Sequence, residues 1–420
     1  MQFIHTADIH LDSPLRGLEQ YEGAPVEEIR GATRRALENL VQLAIDREVD
    51  FVLIAGDLYD GDWQDYNTGL FFVHQMQRLR EADIPVFMIS GNHDAANRMT
   101  KSLRLPDTVT LLDHRKPETA RSHHLTELGV AIHGQSFAKA KEFDNLASAY
   151  PEAVPGMFNI GLLHTSLQGY EGHEPYAPCS LDDLRQKGYH YWALGHVHRR
   201  TEVCEEPWIV FPGNIQGRHI REAGAKGCYV VSVDDRQHCE LEFVPLDVFR
   251  WEVCWIDASA VARPVDIVDS FLAGLDRLIQ RHEGLPLAVR VEVRGATQAH
   301  EAFLSDALRW TNELRAAALQ IPDARVWVEK ILWQTHPKRD LTDVDPSDPV
   351  GVLLEYLREA REDEAELQQL AASLDDLRQK LPNELLNGGD ALRFDVPEQL
   401  RQWLNEAEAL LWRRLHNAVS

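Results

Sequence analysis

The chain has 420 residues, more than one ordinary domain, and its 44% hydrophobic content suits packed cores rather than disorder. With 43 basic against 67 acidic side chains the formal net charge is −24, the wrong sign for a surface that holds nucleic acid by phosphate contacts alone. No apolar run approaches the roughly 18 residues a membrane span needs, and Met1 leads directly into a strand-like segment, so a cytoplasmic protein without a signal peptide or membrane contact is expected. Cys179, Cys204, Cys228, Cys239 and Cys254 have no paired spacing and read as reduced thiols.

In chain order, the apolar run in "FIHTADIH" predicts a buried strand, and "PVEEIRGATRRALENLVQLAIDREV" predicts a helix from its apolar spacing. "FVLIAGDLYD" is a second strand, "YNTGLFFVHQMQRLREA" a second helix and "IPVFMIS" a third strand. This alternation argues for an α/β layer with helices against a sheet. From Val109 to Pro245 the text is strand-rich, and two mixed sheets flanked by helices account for residues 1–248. Residues 249–340 read as a small α/β domain without catalytic spacing, its Trp251, Trp255, Trp310 and Trp327 expected in the core. Residues 341–420 read as helical. A long helix is expected from Val350 to about Lys380, with a heptad-like stripe at Leu367, Leu370, Leu374, Leu377 and Leu381. A second runs from about Pro397 to His416, with Leu400, Trp403, Leu404, Ala407, Leu411 and Leu415 near one face.

Seven residues with metal-ligating side chains follow the strand-like runs of the first half: Asp8, His10, Asp57, Asn92, His164, His196 and His198. Loops at the carboxyl ends of parallel strands can converge on one crevice. Two divalent cations about 3.5–4 Å apart, sharing a carboxylate, can clamp the attacking and leaving oxygens of a displacement at phosphorus. Asp57 is the central candidate for the shared carboxylate. Mixed Asp, Asn and His donors suit manganese, iron or zinc, and manganese is the first choice. His93, beside Asn92 on the same glycine turn, is placed to protonate a leaving oxygen. Asp60 and Asp94 read as carboxylates that orient His93 or a ligand imidazole. His5, His133, His173, His190 and His219 read as ordinary core or surface histidines, with His133 the one to inspect near the metals, and His123 and His124 as a solvated loop.

A lone "GNHD" is no more than a turn signal. The ordered set "ADIH", "GDLYD", "GNHD", "HTS" and "GHVH" resembles the calcineurin-like metallophosphoesterases over about residues 1–245, and within them the SbcD-type DNA repair nucleases, most of all the bacterial YhaO-type proteins. The resemblance implies a four-layer sandwich, one metal on Asp8, His10, Asp57 and His198, a second on Asp57, Asn92, His164 and His196, and His93 facing the scissile phosphate. By position it also implies that the domain at 249–340 caps the site. It implies an end-acting DNA exonuclease, docking of the C-terminal helices on a coiled-coil SMC-like ATPase of the SbcC or YhaN type, and homodimerisation through helices of the first domain. Arg98, Lys101, Arg199 and Arg200 are the candidate DNA contacts, with further basic residues at Arg104, Arg218 and Arg221.

Two alternatives stand beside this reading. One is a phosphatase or small-molecule or cyclic-nucleotide phosphodiesterase on the same fold, and the other a non-catalytic subunit of an ATPase complex. The chain carries no "GxxxxGK[ST]" phosphate loop and no "GxSxG" serine elbow, so neither intrinsic ATP hydrolysis nor serine chemistry is expected.

Overall fold

Runs such as "FVLIA" are apolar at every position because both faces of the strand are covered. A computed structural model describes residues 1–13, 29, 31–60, 66–95, 104–167, 176–321, 325–338, 349–378, 380–381, 392–394 and 396–417. Arg98, Lys101, His173 and the side chains of Leu411 and Leu415 lie outside the described set. The chain divides into two compact units, Met1–Glu252 with Gly284–Ala288 and Arg325–Glu329, and Val253–Glu283 with Val289–Ala324 and Lys330–Ser420.

The first unit contains β1 (Gln2–Thr6), β2 (Phe51–Ala55), β3 (Val86–Ile89), β4 (Val109–Leu111), β5 (Glu118–Thr119), β6 (Val130–Gly134), β7 (Phe158–His164), β8 (Tyr191–Gly195), β9 (Thr201–Glu205), β10 (Trp208–Phe211), β11 (Gly227–Val233) and β12 (Cys239–Pro245). They form two six-stranded sheets, in the orders β12-β11-β1-β2-β3-β4 and β5-β6-β7-β8-β10-β9. The strands β1 to β4 are parallel, as are β6, β7, β8 and β10, while β5, β9, β11 and β12 add antiparallel edges.

Side-chain alternation along each strand builds the layers. Phe3, Phe51, Leu53 and Phe87 pack against Ile132, Ile160, Tyr191 and Val210 between the sheets. Their neighbours Ile4, Val52, Ile54 and Val86 face the other way, onto Leu37, Leu40 and Val41 of the helix Ala32–Asp46 and Phe72 and Met76 of the helix Tyr66–Glu81. On the far face of the second sheet Leu163, Trp192, Leu194 and Phe211 meet Tyr150, Leu184 and Tyr189. Helix, sheet, sheet and helix give the four layers of the expected α/β sandwich. Cys228 and Cys239 are free and sit out of register, since Cys228 pairs with Val244 and Cys239 with Val233.

Three further strands, β13 (Arg250–Asp257), β14 (Leu287–Thr297) and β15 (Val326–Pro337), make one sheet in that order. Within the second unit the helix Asp266–Arg281 buries Ile267, Phe271, Leu275 and Leu278 at helical spacing. The segment "EAFLSDALRWTNELRAAA" forms two helices, His300–Ser305 and Ala307–Leu319, because Asp306 leaves helical backbone at φ −137 and ψ 48. Trp251, Trp310 and Trp327 are buried, but Trp255 is 66% exposed. It lies on the outward phase of β13, between the inward Cys254 and Ile256, with the Arg294 guanidinium 5.5 Å from its ring centre.

The single long helix expected from Val350 is three pieces, Pro349–Glu362, Glu364–Ser373 and Asp375–Arg378. The break has a local cause: Asp363 adopts extended backbone and its carboxylate caps the amides of Ala365 and Glu366. The leucine stripe is broken with it, Leu367 being buried and Leu377 exposed. The last helix is Pro397–Asn417. Among the described residues no helix is long and apolar enough to cross a membrane.

A histidine, His5, stands in the core between the sheets. His5 accepts a hydrogen bond from the Tyr191 hydroxyl at 2.9 Å and donates one to the Leu194 carbonyl at 3.2 Å. Burial pushes its pKa down to about 3. The imidazole is therefore neutral in the fold, whereas the unfolded chain gains a proton below about pH 6.5. Stability from this group is complete above pH 6.5 and is lost as pH falls toward 3, by up to roughly 1.4 kcal/mol per pH unit. Urea unfolding of the wild type and His5→Leu between pH 8 and 5 is expected to show a flatter acid slope for the variant, although it starts less stable. Equal slopes would remove His5 as the source.

Candidate metal centre

The candidate ligands leave the carboxyl ends of adjacent parallel strands. Asp8 and His10 follow β1, Asp57 follows β2, Asn92 follows β3, His164 ends β7, and His196 and His198 follow β8. Their local backbone is costly: Asp8, His10, Asp57 and His196 have φ of 51°, 45°, 52° and 100°. Left-handed backbone costs such residues of order 1–3 kcal/mol each and persists where surrounding structure imposes it. Here the loops impose it on one another. The Asp8 amide donates to the Gly56 carbonyl and the His10 amide to the Asp57 carbonyl, at 3.0 and 3.1 Å. The Asp8 carboxylate accepts the His196 amide at 3.0 Å.

Glycine lets the strand ends meet. A Cβ on Gly195 would lie 2.0 Å from the Ala55 carbonyl oxygen, and one on Gly91 would lie 2.3 Å from an oxygen of Asp57. Asp94 completes the framework in a way the sequence reading missed. Its carboxylate accepts the amides of Leu58, Tyr59 and Gly91 at 3.0–3.1 Å. It ties the loop of Asn92 to the loop of Asp57 through backbone amides.

Asp57 stands between two groups of donors. Its Oδ2 is 3.4 Å from His164 Nε2 and 4.0 Å from His10 Nε2, and its Oδ1 accepts the His93 amide at 2.9 Å. Asn92 Oδ1 is 3.0 Å from His164 Nε2, and His10 Nε2 is 3.1 Å from His198 Nε2. Asp8, His10 and His198 form one set whose donor atoms lie within 4.8 Å of each other, and Asp57, His164 and His196 form another.

The donors fit divalent cations. His164 Nδ1 is 2.9 Å from the Ala55 carbonyl and His198 Nδ1 is 2.7 Å from Glu222 Oε1, so both rings donate outward and present Nε2 to the centre. The buried His10 Nδ1 has no hydrogen bond. Burial alone would raise the Asp57 carboxyl, but the imidazoles of His164, His10 and His93 hold it well below the usual carboxylate range. Burial alone would lower His164, and the Asp57 carboxylate instead raises it to about 9. The positive charge that Asp57 draws onto His164 is charge that a cation between them would supply, leaving the imidazole neutral.

His93 lies at the open side, its side chain 37% exposed and its ring edge-on to His10 at 4.9 Å. Its Nδ1 is 3.0 Å from Asp60 Oδ1, a contact that fixes the orientation of the ring. Burial lowers the His93 pKa and the carboxylates of Asp60 and Asp57 more than reverse this, for a net rise.

Glu222 was not legible in the sequence as a site residue. It is buried, accepts from His198 and from Asn214 Nδ2 at 2.9 Å, and has no ligand spacing to betray it. Arg218, grouped by sequence with basic surface residues, is half-buried against it. Arg199 and Arg200 are exposed, and Arg200 lies 4.1 Å over the Phe243 ring. His133 stays away from the donors, bonded to Thr119 and Asn159. His190 accepts the Asn159 amide, and His219 lies 3.7 Å from Glu222.

Two outcomes follow for manganese titration of the purified chain. Asp57→Asn is expected to lose both ions, whereas His164→Ala loses one; equal stoichiometry in the two variants would remove Asp57 as the shared ligand. Gly195→Ala, whose clash is with backbone and cannot rotate away, is expected to cost about 1–3 kcal/mol in urea unfolding and to weaken manganese binding. A variant of wild-type stability would contradict the close approach of β2 and β8.

Known proteins carry the same arrangement of sequence. The model described as calcineurin-like phosphoesterase matches residues 1–200, and the model described as metallophosphoesterase YhaO, middle domain, matches residues 251–336. The chain is 32% identical over 351 residues to the uncharacterized metallophosphoesterase YhaO of Bacillus subtilis, covering 82% of this chain and 85% of that protein. It is 29% identical over 240 residues to the DNA double-strand break repair protein Mre11 of Sulfurisphaera tokodaii, covering 53% of this chain and 58% of that one. With the sandwich, the converging donors and a match along most of its length, the chain belongs to the calcineurin-like metallophosphoesterases of the YhaO type.

Proposed function

We propose that the protein is a manganese-dependent DNA nuclease that hydrolyses backbone phosphodiesters at DNA ends, in the cytoplasm, with a coiled-coil SMC-like ATPase as partner. The observation that carries the hydrolytic part is Asp57, set between two histidine groups with the His93 amide on its free oxygen. When bound, two divalent cations supply a water acidic enough to ionise near neutral pH and positive charge for the oxygens of the transition state.

The chain's own residues do the rest. His164 and His198, each held by an outward hydrogen bond, need no reorientation as charge develops. Water attacks phosphorus, the bond to the leaving oxygen breaks, and that oxygen takes its proton from His93. Asp60 occupies His93 Nδ1, which leaves Nε2 for the substrate, and the carboxylates of Asp60 and Asp57 favour the protonated ring.

DNA as substrate is supported by the likeness to a protein named for double-strand break repair. The net charge of −24 supports a partner, because phosphate binding needs basic surface from elsewhere. In this reading the C-terminal helices dock the ATPase, residues 249–340 cap the site, and the first unit's helices pair two copies.

The test is end-labelled linear DNA and a nitrophenyl phosphodiester offered to the full chain with manganese or a chelator. Expected is metal-dependent shortening of the DNA, with kcat reduced about 10²–10⁴-fold in His93→Ala and manganese stoichiometry unchanged. Hydrolysis of the small diester alone, with DNA intact even beside an ATPase partner, would replace the nuclease by a general phosphodiesterase.

A further inference from the structure

Arg218 lies beside one candidate ligand, its Nη2 3.1 Å from His198 Nδ1, and it stands behind both ends of the site. Its side chain is 14% exposed. One arm, Nη2, donates to Glu222 Oε1 at 3.0 Å, and the other, Nη1, lies 3.5 Å from Asp60 Oδ2. Each carboxylate carries the contact onward to a different imidazole. Glu222 Oε1 accepts from His198 Nδ1 at 2.7 Å, and Asp60 Oδ1 accepts from His93 Nδ1 at 3.0 Å. The two imidazoles have separate duties, since His198 turns its Nε2 toward His10 and the metal donors while His93 faces the open side.

A planar guanidinium fixes two acceptors at a set angle, which an ammonium cannot. Each acceptor is also anchored a second time, Glu222 by Asn214 and by the Arg218 amide, and Asp60 by the Ser13 hydroxyl. These anchors bind Glu222 Oε2 and Asp60 Oδ2 and leave the imidazole-facing oxygens free to be set by the guanidinium. Removing the fork would take the shared cation from Glu222, 5% exposed, and from Asp60 together, and let the two imidazole-facing oxygens pivot about the anchored ones.

We propose that Arg218 is the positioning residue of the centre, one cation that aims His198 at the metal and His93 at the leaving oxygen through Glu222 and Asp60. The proposal rests on the metallophosphoesterase reading and adds to it a coupling between ligand geometry and proton donation.

The experiment uses the full chain as wild type, Arg218→Met, Arg218→Lys, Glu222→Gln, Asp60→Asn and the doubles of Arg218→Met with each carboxylate variant. Two readouts are taken: binding of manganese alone, and kcat for nitrophenyl and unsubstituted phenyl esters of methyl phosphate. The nitrophenolate leaves without help, so loss of proton donation appears as a larger fall on the phenyl ester. Arg218→Met is expected to weaken one manganese ion by about 10–100-fold and to lower kcat at least tenfold more on the phenyl ester than on the nitrophenyl ester. Adding Glu222→Gln should weaken manganese no further, and adding Asp60→Asn should leave the ester ratio unchanged.

Arg218→Lys is expected to keep at most one of the two wild-type readouts, since a single ammonium reaches one carboxylate. Should Arg218→Met fail to fold, Arg218→Lys decides, and retention of both readouts overturns the proposal. Purely additive losses in the doubles overturn it too. A wild type that binds no manganese and hydrolyses neither ester overturns the phosphoesterase reading itself, and the positioning role with it.

Discussion

Taking an ionised carboxylate out of water costs several kcal/mol unless donors or cations surround it, and Asp57, 1% exposed, is where this constraint binds the fold most tightly. Its oxygens meet the His93 amide and the imidazole of His164, with His10 beyond. To bring those groups in, β1, β2, β3, β7 and β8 must all end within reach of one another, which Gly91 and Gly195 allow by having no side chain. The left-handed backbone at Asp8, His10, Asp57 and His196 is the local cost of that convergence. The packed layers on both faces of each sheet supply the stability that offsets it.

Around the donors lies a set of carboxylates with distinct tasks. Asp94 fastens backbone to backbone, Asp60 orients the His93 imidazole, and Glu222 orients the His198 imidazole. All three are acidic, and only the partners they meet separate their roles. The same distinction resolves the basic residues: Arg218 is held inside by two carboxylates, whereas Arg199 and Arg200 are on the surface.

The second unit follows simpler rules. Strand alternation puts Trp255 outside although it is the type of residue a core would use, and one aspartate at position 363 divides a helix whose apolar spacing reads as continuous. Local capping can outweigh periodicity because an extended residue with its side chain on two amides ends one helix and starts another at little loss.

The amino-acid sequence by itself determined the strand-and-helix alternation, the two mixed sheets and the grouping of Asp8, His10, Asp57, Asn92, His164, His196 and His198. These depend on local periodicity and on short motifs at strand ends, both written contiguously in the chain. The tertiary structure alone decided that Asp94 serves backbone, that Glu222 and Arg218 stand behind His198, and that Gly195 abuts Ala55. Each of those last relations joins residues brought together by the meeting of several loops. Hydrogen-bond direction and close approach are properties of that meeting, and no spacing along the chain encodes them.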